Sequence, residues 1–261
     1  MLVGAEEFVY LSSMLDLPLG VISNSAGERL DYALHPGAGD GGPLVVIGHG
    51  VTGHKDRPFL VALAEGLARA GIAALRISFS GNAGSEGRFE DSNISKGVED
   101  LGAVLDALPH RSIAYAGHSM GGAVGVLRAS RDPRICLLVS LAAIVHTRAF
   151  AERSFGDLAP GEGLMFGKPG CVLSQTYLDD LREIDSVIHH AEAIRAPWLF
   201  VHGSRDPLVP ITDSRDAYAR THAPKQLIEL KGADHVFEPG LTPRMVEVVS
   251  AWCRTRFAEL A

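Results

Sequence analysis

The chain has 261 residues, which suits one large α/β domain, or a core with an insertion, better than two full domains. Hydrophobic residues make up 46% and charged residues 21%, with 29 glycines and 14 prolines, a balance that excludes fibrous and disordered classes. The 31 acidic and 24 basic residues give a formal charge of -7, and the basic ones are scattered singly, which argues against nucleic acid and for a small or neutral substrate.

In chain order, MLVGAEEFVYLSSMLDLPLG places acidic residues before any apolar run, so no signal peptide is expected. Nothing approaches the ~20 apolar residues of a membrane span, and a soluble chain with no membrane partner is expected. GVIS and RLDYALH flank Asn24-Ser25-Ala26-Gly27, which predicts a hairpin. After the Pro36–Pro43 loop, LVVI is the continuous β-branched run of a strand buried on both faces. Helical FLVALAEGLARAG, strand IAALRISF, helical KGVEDLGAVLDAL, strand SIAYAG, helical MGGAVGVLRAS and strand ICLLVSLAA follow. WLFVHG, DSRDAYARTH, KQLIELKG and the amphipathic TPRMVEVVSAWCRTRFAEL complete the series. Repeated βα units imply an α/β fold with a mostly parallel central sheet flanked by helices.

One segment breaks this rhythm. Roughly 45 residues, about 145–190, separate two core strands where loops of ~2–6 are normal, so a cap inserted into a single domain of 1–261 is expected. It opens with a stretch rich in Gly, Pro and Phe and closes with TYLDDLREIDSVIHHAEAI, whose spacing is helical. Phe150, Phe155, Phe166 and Tyr177 either line a pocket beneath it or pack it to the core.

Gly117-His118-Ser119-Met120-Gly121 fits G-x-S-x-G, and its context carries the reading. A strand runs directly into the motif and a helix of small residues leaves it, the arrangement that holds a serine on a sharp turn above a sheet. A serine hydroxyl needs an adjacent base, itself oriented by a third group. Asp206 follows the WLFVHG strand and His235 follows KQLIELKG. Asp213 and Asp216 fall in the next helix, and Asp234 neighbours His235. His118, His202 and the His189-His190 pair read as structural, the pair lacking the spacing of metal ligands.

With this order of Ser119, Asp206 and His235, the chain resembles the α/β-hydrolase family over nearly its whole length. The resemblance implies the α/β-hydrolase fold, with Ser119 as nucleophile, Asp206 as acid and His235 as base. It also decides the reading of Gly48-x-Gly50-x-x-Gly53, which matches a dinucleotide fingerprint letter for letter. Pro58 fits the first turn of the following helix, which is expected to start near Arg57, too late after Gly53 for a pyrophosphate on its N-terminus. His49-Gly50-Val51 resembles instead the family's oxyanion loop, which makes the backbone N–H groups of Val51 and Met120 the expected oxyanion donors.

HKDRP, SFSGNAGSEGRFED and the size of the expected cap look like the cinnamoyl and feruloyl esterase-like branch and its lysophospholipase-like relatives. The chain departs from that branch at Ser78, where aspartate is common, and at Met120, where glutamine is frequent. The implied function is a serine carboxylic-ester hydrolase, EC 3.1.1 in type, acting through an acyl-enzyme on short-to-medium acyl or aryl esters. A peptidase or amidase with the same triad, or a binding protein on a hydrolase fold, are the alternatives. No metal or organic cofactor is implied, and homo-oligomerisation stays open. Cys136, Cys171 and Cys253 fit neither a zinc site nor a disulfide framework, so a reducing cytoplasm is the expected compartment.

Overall fold

The computed structural model describes residues 19–39, 41–108, 111–238 and 240–260. The stretch expected to lack a signal peptide lies almost wholly outside them.

The apolar runs form the middle of one sheet. β2 (Leu44–Gly48) is buried at all positions and pairs in parallel with β3 (Ala73–Ile77) on one side and β4 (Ile113–His118) on the other. β5 (Ile135–Leu141), β6 (Trp198–Gly203) and β7 (Lys225–Leu230) extend the parallel sheet, and β1 (Tyr32–His35) closes the opposite edge antiparallel to β3. The order is β1-β3-β2-β4-β5-β6-β7.

Alternation within each strand feeds two cores. Leu44, Val46, Ile113, Tyr115, Trp198 and Phe200 join the core under α2 (Ile94–Asp106) and α3 (Met120–Ala129). Val45, Ile47, Ala114, Ala116, Leu199 and Val201 join the core under α1 (Pro58–Arg69) and the later helix Thr242–Leu260. Each fully buried Val, Leu, Ile or Phe contributes roughly 1.5–3 kcal/mol, so these faces hold the helices in place.

Local rules set the helix starts. Pro58 occupies the first turn of α1, where its missing N–H costs nothing, and Asn93 accepts the Lys96 amide at 2.8 Å to cap α2.

Two expectations are corrected. The turn at Asn24–Gly27 forms, with Gly27 N donating to Asn24 O at 2.9 Å, but the hairpin reduces to one bridge between Ser23 and Arg29. The Tyr32–His35 strand pairs with β3 instead, because a full sheet edge buries more than a local ribbon. The long helix expected at the end of the β5–β6 segment is also broken. That segment holds α4 (Thr147–Phe155), a 3₁₀ turn (Met165–Gly167), α5 (Gln175–Ile184) and a 3₁₀ stretch (Val187–Ala193). Asp185 takes φ +58°, and Ser186 starts a new cap by accepting the Ile188 amide. Contacts back to the α4 end of the segment override helical spacing, since Asp185 O accepts the Arg148 amide and Val145 O the Val187 amide.

Two more helices complete the chain, α6 (Ile211–Arg220) after β6 and α7 (Thr242–Leu260) after β7.

Candidate active site

Ser119 stands between β4 and α3 with φ +54° and ψ -116°, a conformation that costs a non-glycine residue on the order of 1–3 kcal/mol. Its surroundings hold it there. The Ser119 amide donates to Leu141 O at 2.9 Å, and its carbonyl accepts from Gly122 N at 2.9 Å and Ile144 N at 3.1 Å. Glycine is required where the elbow presses on the sheet: a Cβ on Gly121 would stand 2.6 Å from His49 O.

Asp206 lies three residues beyond β6 with its carboxyl almost wholly buried. Oδ1 accepts the amides of Leu208 at 2.8 Å and Val209 at 2.9 Å. Oδ2 stands 2.7 Å from His235 Nδ1 and 3.3 Å from His202 Nε2. Burial works against ionisation, but hydrogen bonds from His202, His235 and the Val209 amide outweigh it and hold the carboxyl well below the usual carboxylate range. An ionised Asp206 only accepts, so His235 Nδ1 carries the proton and Nε2 is left to act as a base.

His235 sits in the loop after β7, its carbonyl accepting a 2.8 Å bond from His118 Nε2. Burial keeps His118 neutral by pushing its pKa well below the ordinary value. Ser119 and His235 share the wall of one cavity of about 390 Å³. The hydrogen bonds His235 makes among the described residues run between Nδ1 and Asp206 and between its carbonyl and His118, and none joins the Ser119 hydroxyl. Catalytic hydrogen bonds to such a hydroxyl commonly tighten only once substrate is bound.

The glycine-rich stretch forms a turn beside the elbow, with Gly53 N donating to Gly50 O at 3.0 Å. A Cβ on Gly50 would lie 2.9 Å from the Ser119 Cβ. The helix after it starts at Pro58, clear of this turn. Val51 lines the cavity, and Met120 is the first residue of α3, where a backbone N–H has no intrahelical acceptor. His49, wholly buried, fixes the turn: Nε2 accepts the Phe79 amide at 3.0 Å and Nδ1 donates to Gly50 O at 2.8 Å. Burial pushes its pKa down to about 4, so it is neutral.

The rival carboxylates are occupied elsewhere. Asp213 accepts the Val145 and His146 amides, Asp216 pairs with His146 at 2.9 Å, and Asp234 accepts the amides of Val236 and Glu238. Phe150 and Phe166 line the cavity, whereas Phe155 and Tyr177 pack behind them as a buried aromatic cluster.

Sequence reasoning missed three contributors. His202, read as structural only, shares its Nε2–H between Val209 O at 2.9 Å and Asp206 Oδ2, while Nδ1 accepts from Ser214 Oγ at 2.8 Å. Arg57 and Lys168 line the cavity from positions about 110 residues apart, and no local pattern links them. The His202-x-x-x-Asp206 spacing was the one available signal. Among the described residues no cluster of His, Cys, Asp or Glu is placed to hold a metal ion, and no helix is long and apolar enough to cross a membrane.

Residues 42–160 match the family model described as serine aminopeptidase, S33. The structure is similar to Est1E from Butyrivibrio proteoclasticus, solved with ferulic acid bound, at TM-score 0.82 and 26% identity over 92% of this chain and 99% of that one. It is similar to a monoacylglycerol lipase from Paleococcus ferrophilus at TM-score 0.71 and 20% identity, covering 87% and 98% of the two chains. The sequence is 26% identical over 222 residues to a monoacylglycerol lipase of Mycolicibacterium smegmatis, covering 72% of this chain and 79% of that protein. The sheet order, the strained serine at the end of β4 and these likenesses agree, and the chain has the α/β-hydrolase fold.

Proposed function

We propose that the chain is a serine carboxylic-ester hydrolase working through an acyl-enzyme. The observation that carries this reading is the junction of Ser119 at the elbow with the His235–Asp206 pair on one cavity wall. His235 Nε2 takes the Ser119 proton as Oγ attacks the ester carbonyl, and the negative charge passes to the carbonyl oxygen. The amides of Val51 and Met120 receive that oxyanion; removing one such donor costs on the order of 3 kcal/mol of transition-state stabilisation. His235 then protonates the leaving alcohol and later draws a proton from the water that releases the acid. Asp206, kept ionised, stabilises the imidazolium formed in between.

The β5–β6 segment acts as the cap of this single domain: Phe150 and Phe166 come from it to the cavity. A cavity of about 390 Å³ is at the small end of ligand pockets, which favours short-to-medium acyl or aryl esters. The match to the serine aminopeptidase model favours one second reading, hydrolysis of an amide by the same residues.

Initial rates on p-nitrophenyl esters from acetate to laurate, methyl ferulate and aminoacyl p-nitroanilides separate the two. Ester turnover that drops at least about a thousandfold in a folded Ser119→Ala variant is expected. Near-normal rates in that variant would remove the nucleophile, and turnover of anilides alone would shift the reading to a peptidase.

A further inference from the structure

Two cations face this cavity that the ester mechanism does not use. Arg57 precedes α1 and Lys168 follows the Met165–Gly167 turn, and both line the wall shared with Ser119 and His235. Among the described residues the Arg57 guanidinium has no hydrogen-bonded or ion-paired partner, and its side chain takes no part in capping α1. Lys168 Nζ donates to Thr52 Oγ1 at 2.8 Å and to Thr52 O at 3.4 Å, uncharged acceptors that leave its charge uncompensated. Burial, and then the charge of Arg57, push the lysine pKa down, as two like charges held near each other require. One carboxylate, Asp234, also lines the cavity, but its Oδ1 receives the Val236 and Glu238 amides and it pairs with neither cation.

A guanidinium fork and an ammonium without counter-ions, partly desolvated beside a reactive serine, form a receptor for anionic oxygens. We propose that Arg57 and Lys168 select esters that carry a carboxylate or phosphate close to the scissile carbonyl. This rests on the ester-hydrolase reading and adds the charge of the substrate to it. The modest cavity keeps the anion and the ester on one small molecule.

The test compares kcat/KM by pH-stat within two matched pairs. Monomethyl succinate against methyl pentanoate reads a carboxylate, and 1-butyryl-glycerol 3-phosphate against 1-butyrylglycerol reads a phosphate. The anionic member of one pair is expected to be preferred about tenfold or more at low salt, with the preference falling as salt rises. Arg57→Gln and Lys168→Gln are each expected to reduce that anionic-to-neutral ratio about tenfold, mainly through KM, with Arg57→Lys recovering part of it. The pair showing the effect identifies the anion. Neutral esters preferred in both pairs, or a ratio unmoved by either substitution, would overturn the proposal. An equal loss on charged and neutral members would overturn it too, assigning the cations to the oxyanion itself. If wild type hydrolyses no ester, the ester reading fails alone, and calorimetric titration of Ser119→Ala with succinate and with glycerol 3-phosphate still reads the anion site. Binding lost in the Arg57→Gln background supports that site, and absence of binding overturns it.

Discussion

Asp206 is the residue on which the proposed chemistry turns, because a buried carboxylate stays ionised only if its oxygens are supplied with donors. Two backbone amides serve Oδ1, and His235 with His202 serve Oδ2. His202 is therefore a positioning residue acting through Asp206. His202→Phe keeps the ring volume and removes the donor, so the Asp206 carboxylate is held less firmly against His235 and kcat/KM is expected to fall about tenfold or more in a folded variant. His202→Gln, which restores a donor, is expected to recover much of the rate. A wild-type kcat/KM in His202→Phe, or a loss that His202→Gln does not recover, would leave His202 a purely structural histidine. The pairing of Asp206 with His235 was legible from its place after a strand and before His235, whereas the contact from His202 was not. A side chain at a strand end gives no sign of which way the following loop will turn.

Among the elements, the elbow and the Gly50–Gly53 turn depend on each other. The β4–α3 connection holds Ser119 at positive φ, and the turn packs so close that only hydrogen fits at Gly50. In Gly50→Ala the new methyl would meet the Ser119 Cβ at 2.9 Å and His118 Nδ1 at 3.0 Å, both on the elbow. The turn, held at its far side by His49, is the part that must move, and the Val51 amide moves with it. The expected outcome is a fall in kcat of more than about tenfold with a stability loss of only about 1–3 kcal/mol. Unchanged kcat in a destabilised Gly50→Ala protein would separate the turn from the oxyanion role. The same glycines illustrate how far a local pattern reaches. Pro58 announced where α1 begins, and that ruled out the dinucleotide geometry. The pairing of the turn with the elbow depends on β2 and β4 being sheet neighbours, with Gly48 beside Gly117.

Across the whole molecule, the two buried neutral histidines tie stability to pH. His49 has its pKa pushed down to about 4 by burial, and His118 is lowered well below the ordinary 6.5 for the same reason. In the unfolded chain both regain the ordinary value, so below about pH 6.5 the unfolded state binds more protons than the folded one. Stability is therefore full above about pH 6.5 and declines as pH falls, reaching a loss of about 3 kcal/mol from His49 alone near pH 4. Urea unfolding at pH 7, 6, 5 and 4.5 should show this decline, and His49→Gln should flatten it; a constant midpoint across the series would show that neither ring is as desolvated as the fold implies.

The sequence by itself determined what depends on neighbours in the chain. Apolar runs such as LVVI and SIAYA could only be buried strands, Pro58 could only open a helix, and Gly117-x-Ser119-x-Gly121 between strand and helix marked the elbow. The order of Ser119, Asp206 and His235 followed from which strands carry them. The tertiary structure alone decided what depends on parts of the chain that meet only after folding. It paired Tyr32–His35 with β3 instead of a hairpin partner, broke the expected helix at Asp185, and brought Arg57 and Lys168 to the cavity that Ser119 lines. Local propensities are worth tenths of a kcal/mol per residue, whereas a paired sheet edge or a buried face is worth several, so where the two disagree the long-range contact prevails.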